Sequence, residues 1–331
     1  MPIQHRAAEV EVLAPARLHL GFLDLNGDLG RRFGGIGLAI EEIGFRLSLT
    51  AATAAGASGP GADRALRYLT EAAAALEVPD AAHLTIREAI PGHAGLGSGT
   101  QLGLAVAAAL ARLHGRELGT AALARAAGRG ARSGIGIGAF AGGGFLVDGG
   151  RDGGDAPPPI IARLPFPPAW RVLLIFDGGR SGLNGAAEAQ AFTRLTPFDE
   201  GLAGRLSRLV LMRLLPAIAE AEFAPAAAAI GEIQDRLGDY FASAQNGRYS
   251  SPAVGRALAW LRAQNVTGIG QTSWGPTGFA LTDSAAEAQR LVASLREHST
   301  EWRELEFRVV AGRNRGAEIT PPRREGAFEH E

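Results

Sequence analysis

Cysteine and lysine are both missing: all 33 cationic side chains are arginine. Without cysteine there are no disulfides, thiolate nucleophiles or cysteine metal sites, which fits a reducing cytoplasm. Without lysine there is no Schiff-base chemistry and no P-loop, whose motif ends Gly-Lys-Ser/Thr. An anion must therefore be held by arginine, backbone N–H groups or a metal. An excess of charge is missing too, since the net value is −1. That removes the basic footprint of a nucleic-acid partner and points to small molecules. "MPIQHRAAEVEVL" has no apolar run of the kind a signal peptide needs. The most apolar helix, near Leu206–Ile218, is interrupted by Arg208, Arg213 and Pro216, so no membrane span is expected. The seven histidines show no paired metal-ligand spacing.

What is present is 331 residues with 46% hydrophobic content, enough for two domains. Val10 and Val12, then Leu18, Leu20 and Phe22, alternate as a strand does, and so do Ile36, Leu38 and Ile40. "AHLTIREAI" reads as a strand, and "AIPGHAGLGSGTQLGLAVAAALARL" follows it as a glycine-rich turn opening a long apolar helix. "RSGIGIGAFAGGGFLVDGG" is too glycine-rich for a stable helix, with a short strand over Phe145–Val147. "RDGGDAPPPIIARLPFPPAW" is the clearest composition break and places a domain boundary. The expected domains are 1–165 and 166–315, with 316–331 as a frayed tail. In the second half, Ile230, Ile233, Leu237 and Phe241 form a helical stripe, and "NVTGIGQTSWGPTGFAL" reads strand, loop, strand.

The candidate chemistry begins at the glycine-rich turn. Gly95, Leu96, Gly97, Ser98, Gly99 and Thr100 enter a helix whose first N–H groups and partial positive charge suit a phosphate. Ser98 and Thr100 can cap that helix, and Ser98 can lend its hydroxyl to a magnesium ion carried by the phosphate. A plain strand-to-helix turn is the bland alternative. A dinucleotide fingerprint is excluded, because Leu102 stands where the third glycine is needed. In "ARLHLGFLDLNGDLGRRFGGIGLAI", Arg17, His19, Asp24 and Arg31 are many polar groups for one strand and its turn, although a lone strand histidine is commonly a core residue and Asp24 and Asn26 suit a turn. Asp177, Arg180 and Ser181 lie at the end of an apolar strand, where ligand groups collect and where Ser181 or Asn184 would equally serve as a helix cap.

"PGHAGLGSGTQLGLA" resembles the phosphate loop of the GHMP kinase superfamily, P-x-x-x-G-L-G-S-S-A, through Pro91, Gly95, Leu96, Gly97 and Ser98, with Gly99 at the second serine. "ARSGIGIG" is similar to that superfamily's S-G-x-D stretch through Ser133, Gly134 and Ile135, but Gly136 stands where the kinases carry the aspartate base. Such a base is worth roughly 10²–10⁴-fold in rate. The outline P-x-R-I/L-H-x-x-L-x-D-x-N-G-x-L-G-R-x-x-G-G-x-G resembles one branch more closely, the beta-ribofuranosylaminobenzene 5'-phosphate synthases. It is carried by Pro15, Arg17, His19, Asp24, Asn26, Gly27, Gly30, Arg31, Gly34, Gly35 and Gly37, with "GGFLVDGG" and "GIGQTSWGPT" in support.

The resemblance implies an α+β, two-domain fold: an N-terminal α/β domain with a left-handed βαβ unit, and a ferredoxin-like C-terminal domain. It implies condensation of phosphoribosyl pyrophosphate with 4-aminobenzoate or 4-hydroxybenzoate, releasing carbon dioxide and pyrophosphate, in tetrahydromethanopterin synthesis. Carbon dioxide departs where an ordinary ring substitution loses a proton, so the missing base at Gly136 suits this chemistry. Arg17, His19 and Asp24 are then the expected catalytic residues, and Gly95–Thr100 hold the phosphate. Asn26, Arg31, Gly34, Gly35, Asp177, Arg180, Ser181, Gln271, Ser273, Trp274 and Thr277 are expected to line the substrate site, with Trp274 stacking on the aromatic ring. Magnesium carried with pyrophosphate is the expected metal, and no organic cofactor is expected. A homodimer follows by analogy only. The competing readings are a GHMP kinase whose base lies elsewhere and a non-catalytic sensor of this fold.

Overall fold

The computed structural model describes residues 9–154, 156–180, 182, 195–298 and 302–320. Two long strands dominate the first half. β1 (Glu9–Asp24) and β2 (Phe33–Ala51) pair antiparallel, and the alternation of Val10, Val12 and Ala14 buries one face. β1 carries two register shifts, at Pro15/Arg17 and at His19/Gly21. A proline inside a paired strand is tolerated at such a bulge, and a bulge re-aims the side chains that follow it.

β3 (Gly56–Ser58) and β4 (Ala82–Glu88) run parallel, joined by α1 (Ala62–Leu76), which makes the βαβ unit. β5 (Phe145–Asp148) and β6 (Ile160–Leu164) complete the sheet beside β2. α2 (Ser98–Leu113) lies against β1, β2 and α1, with every residue from Gln101 to Ala111 buried. An all-apolar helix is stable in that central place. α3 (Thr120–Ala126) and α4 (Ile135–Gly142) pack on it.

The second sheet takes β7 (Arg171–Asp177), β8 (Ile269–Gln271), β9 (Gly278–Thr282) and β10 (Leu305–Ala311) in the order β10-β7-β9-β8, all neighbours antiparallel. With helices between β7 and β8 and between β9 and β10, this is the split β-α-β arrangement of a ferredoxin-like domain. The helices are α5 (Glu200–Leu209), α6 (Leu215–Ala219), α7 (Phe223–Gln245), α8 (Pro252–Ala263) and α9 (Ala285–His298). Among the described residues no helix is long and apolar enough to cross a membrane.

Two local expectations are corrected. Residues 135–142 are helical despite their glycines, because the glycines are the packing surface: a side chain on Gly138 would stand 2.7 Å from Ile160. Close packing of this kind offsets glycine's helix cost of about 1 kcal/mol per residue. The stretch near Leu206–Ile218 is helical as expected, its arginines and proline included. A π-helical turn at Val210–Leu214 sits just before Pro216, where the ring removes a backbone donor. The tail expected from 316 begins as structure: β11 (Glu318–Ile319) pairs with β1. The fully buried Arg313 pairs there with Glu41 and Glu318. Residues 321–331 lie outside the described residues.

Candidate active site

Strand β1 joins the two halves of the site. Its Arg17 turns onto the glycine-rich loop: the backbone N–H donates to the Leu96 carbonyl at 3.1 Å, and Nη1 to the Gly95 carbonyl at 2.5 Å. Two residues on, the His19 N–H donates to Thr272 Oγ1 at 3.0 Å, and the His19 carbonyl accepts from the Ser273 N–H at 3.2 Å. The β8–β9 loop of the second domain is thereby clipped to β1, and Thr272 Oγ1 also donates to Gly95 at 2.9 Å.

These contacts show what the loop glycines do. A side chain on Gly95 would run into the Thr272 carbonyl, and one on Gly275 would stand 2.6 Å from Ala94. Gly95 therefore serves the close approach of the two domains, which the sequence reading assigned to a ligand. The helix cap is Gly97, with no side chain bonded to it, so neither Ser98 nor Thr100 caps α2 as expected. A Cβ placed on Gly99 would lie 3.6 Å from Tyr68 Oη and 3.8 Å from Arg129 Nη1. Arg64 Nη1 reaches Ser98 Oγ at 3.5 Å, and Arg129 lies over the Tyr68 ring. Backbone donors at a helix N-terminus with two arginines beside them form an anion cradle. The sequence reading missed Arg64, Tyr68 and Arg129, because they come from α1 and the loop after α3 with no motif of their own.

Arg64 is the side chain bonded to Ser98, and among the described residues no cluster of three or more His, Cys, Asp or Glu could hold a metal, so this donor set does not fit a resident metal ion.

The position of the kinase aspartate is filled. A Cβ on Gly136 would stand 2.9 Å from Thr100 Cγ2, and the Gly136 carbonyl accepts from Gln101 Nε2 at 2.7 Å. The methyl of the loop threonine occupies the space a base would need.

On its other side, β1 opens into a recess of about 40 Å³ between β1 and α7. Phe22, Phe241 and Trp274 form an aromatic wall, with Phe241 and Trp274 in edge contact at 4.6 Å between centroids. Gln271 and Ser273 line it as expected. His19 faces it, 4% exposed, with no partner on Nε2. Burial, and then the Arg17 charge, push its pKa down to about 3, so the imidazole is neutral at pH 7.

Asp148 was not singled out in the sequence, although it sits in "GGFLVDGG". It is fully buried, and its carboxylate accepts from Ser133 Oγ at 2.9 Å and from the N–H groups of Gly134 at 2.9 Å and Gly150 at 3.0 Å. Burial raises its pKa against those bonds. A Cβ on Gly35 would meet both Asp148 Oδ2, at 3.1 Å, and His19 Nε2, at 3.2 Å, so Gly35 spaces these two groups.

Other expected site residues are bound into the scaffold. Asp24 Oδ1 accepts from the N–H groups of Asn26 and Gly27, a turn within the β1–β2 loop. Arg31 donates to the Gly149 and Gly150 carbonyls and pairs with Asp152, tying that loop to the end of β5, where Gly34 also packs against the Asp148 carbonyl. Asp177 accepts from Ser251 Oγ at 2.6 Å and Arg180 donates to the Ser250 carbonyl, so both anchor the start of α8. Thr277 is buried behind the β8–β9 loop, its carbonyl accepting from the Thr272 N–H. Ser181 and Asn184 lie outside the described residues.

The family models for the GHMP kinases N terminal domain and the GHMP kinases C terminal domain match residues 62–144 and 214–300. A beta-ribofuranosylphenol 5'-phosphate synthase from Methanothermobacter thermautotrophicus is 32% identical, with 93% of this chain and 98% of that protein covered. The chain belongs to this synthase family. A second synthase of that name, from Archaeoglobus fulgidus, is 34% identical over 92% of this chain and 97% of its own length. Among solved structures, homoserine kinase from Cytophaga hutchinsonii is similar with a TM-score of 0.67 at 15% identity, covering 97% of this chain and all of its own. Mevalonate-3-kinase from Thermoplasma acidophilum has the same TM-score at 12% identity, again over 97% of this chain and all of its own. At that identity the kinases share the fold alone, and the family membership rests on the synthases.

Proposed function

We propose that the protein is a decarboxylating pentosyltransferase that joins phosphoribosyl pyrophosphate to a para-substituted benzoate, 4-aminobenzoate or 4-hydroxybenzoate. The product is a ribofuranosyl-aryl 5'-phosphate of the tetrahydromethanopterin pathway. The synthases' name, which specifies a phenol product, favours the hydroxy acid. The observation that carries the proposal is the placement on β1: Arg17 lies on the phosphate loop, and His19, about 7 Å further along the strand, faces an aromatic recess. An anionic donor and a flat acceptor would meet at that point.

In the reaction the bond from the anomeric carbon to pyrophosphate breaks, and the electron pair leaves with pyrophosphate. The cradle of Arg64, Arg129 and the α2 N–H groups stabilises that charge, with magnesium arriving on the donor. The ring carbon bearing the carboxylate attacks the anomeric carbon. Carbon dioxide then departs, and the electrons of its bond restore the aromatic ring. No ring proton is lost, so this chemistry does not need a base at Gly136. A kinase reading fits less well because Thr100 fills that space. His19 stands neutral at the junction, and Arg17 supplies positive charge to the acceptor carboxylate before it leaves.

The test supplies purified protein with phosphoribosyl pyrophosphate, magnesium and either benzoate labelled in the carboxyl group. Release of labelled carbon dioxide with formation of the riboside phosphate is expected. No release with either acid overturns the proposal.

A further inference from the structure

The floor of the aromatic recess carries an orientation signal, and it rests on the synthase reading for the identity of its ligand. Three glutamines line the recess, and backbone groups fix the direction of each amide. The Ser250 N–H can only donate, so the atom of Gln271 it meets at 2.7 Å is the oxygen; the Ser273 carbonyl can only accept, so the group facing it is the Gln271 amide nitrogen. That nitrogen also donates to Gln245 Oε1 at 3.1 Å, and Gln245 Nε2 donates to the Arg248 carbonyl at 2.7 Å. Gln234 is fixed the same way, donating to the Leu20 carbonyl and accepting from the Gln271 N–H. Gln245 thus presents a carbonyl oxygen with one lone pair still open. The charge at this end is already matched: the Arg248 guanidinium bonds Asp235 at 2.9 Å and Asp239 at 2.8 and 2.9 Å.

A neutral floor with an oriented acceptor does not suit a carboxylate. It suits a small uncharged donor, an amine or a hydroxyl. We infer that the aryl acid enters with its para substituent toward Gln245 and its carboxylate toward His19 and Arg17, and that Gln245 is the residue selecting a para hydrogen-bond donor. This orientation places the carbon bearing the carboxylate at the junction with the phosphate loop, where the new carbon–carbon bond forms. A hydrogen bond from the para N–H or O–H to Gln245 also pushes electron density into the ring, toward the carbon opposite, which is the attacking one. Gln271 acts through Gln245 as a positioning residue.

The test compares 4-aminobenzoate, 4-hydroxybenzoate and benzoate by ligand-observed NMR titration of the full chain, with magnesium and inorganic pyrophosphate present. Wild type is expected to bind the two para-substituted acids more tightly than benzoate. Gln245→Leu is expected to weaken those two about tenfold, the loss of one hydrogen bond, and to leave benzoate within about twofold. Gln245→Glu keeps an acceptor and is expected to retain the preference for the para donors, which covers the case in which the leucine variant does not fold. Equal affinity for all three acids in wild type, an equal loss for all three in Gln245→Leu, or a collapse of all three in Gln245→Glu overturns the inference; the last would mean that the carboxylate faces the floor. If para-selective binding holds but labelled carbon dioxide is not released, the synthase reading fails and the orientation stands. If carbon dioxide is released and Gln245 has no effect on selectivity, only the orientation fails.

Discussion

Around the first turn of α2 stand Arg64, Arg129 and the Tyr68 hydroxyl. Along α7, a few residues of β1 away, stand Phe22, Phe241, Trp274 and amides, and the Arg248 guanidinium is matched by two carboxylates. On the proposed reading the first region takes the anionic donor and the second the flat acceptor, two substrates of different kinds. The two regions also give mutations that should act on one substrate and spare the other.

The largest expected effect comes from restoring the kinase residue. Gly136→Asp drives a side chain into Thr100 and buries an unpaired carboxylate, which should cost about 3 kcal/mol or more of stability. Thermal melting reads the cost, and a folded variant that gained ATP-dependent phosphorylation would remove the distinction from the kinases. Next, Arg64→Ala and Arg129→Ala should each raise KM for phosphoribosyl pyrophosphate between about 10-fold and 100-fold, the usual 1.5–3 kcal/mol for a bond to a charged group. Steady-state kinetics should find the benzoate KM within about twofold of wild type; an equal rise in both would merge the two regions.

The pH dependence of folding separates them further, because arginines do not titrate and His19 does. Its folded pKa of about 3 lies below the ordinary 6.5, so between those values the unfolded chain binds the extra proton. Stability should therefore fall as pH drops from 6.5 toward 3, by up to about 1.4 kcal/mol per pH unit from this group. Asp148 acts with the opposite sign. Its raised pKa means the fold favours the protonated acid, a contribution present at low pH and lost as pH rises through the folded value. Urea midpoints across pH for wild type and His19→Gln isolate the histidine, and identical slopes would refute the assignment. The smallest effect is expected for Phe241→Ala, which should raise the benzoate KM up to about tenfold, within the 0.5–1.5 kcal/mol of one aromatic contact, and leave the donor KM unchanged.

Much of the fold was legible. Alternation in β1 and the stripe Ile230–Phe241 correspond to strand and helix. The helix at Ile135–Gly142 was not, because propensity cannot see that Gly136 and Gly138 are contact surfaces for Thr100 and Ile160. Of the expected site residues, Arg17, His19, Gln271, Ser273 and Trp274 do converge. Asp24, Arg31, Asp177 and Arg180 are engaged by backbone or scaffold groups, since an aspartate in a turn and an arginine beside glycines look alike in sequence whatever they bind.

By itself the sequence determined that any anion must be held without lysine, that a glycine-rich turn opens the central helix, and that a glycine stands where the kinases carry their aspartate. These are local properties of residue type and spacing. The tertiary structure alone decided which arginines face that helix end, that Gly95 serves the domain contact, and that α7 closes an aromatic recess over His19. Each depends on groups far apart in the chain, brought together by the packing of two sheets, and spacing along the sequence carries no record of such distances.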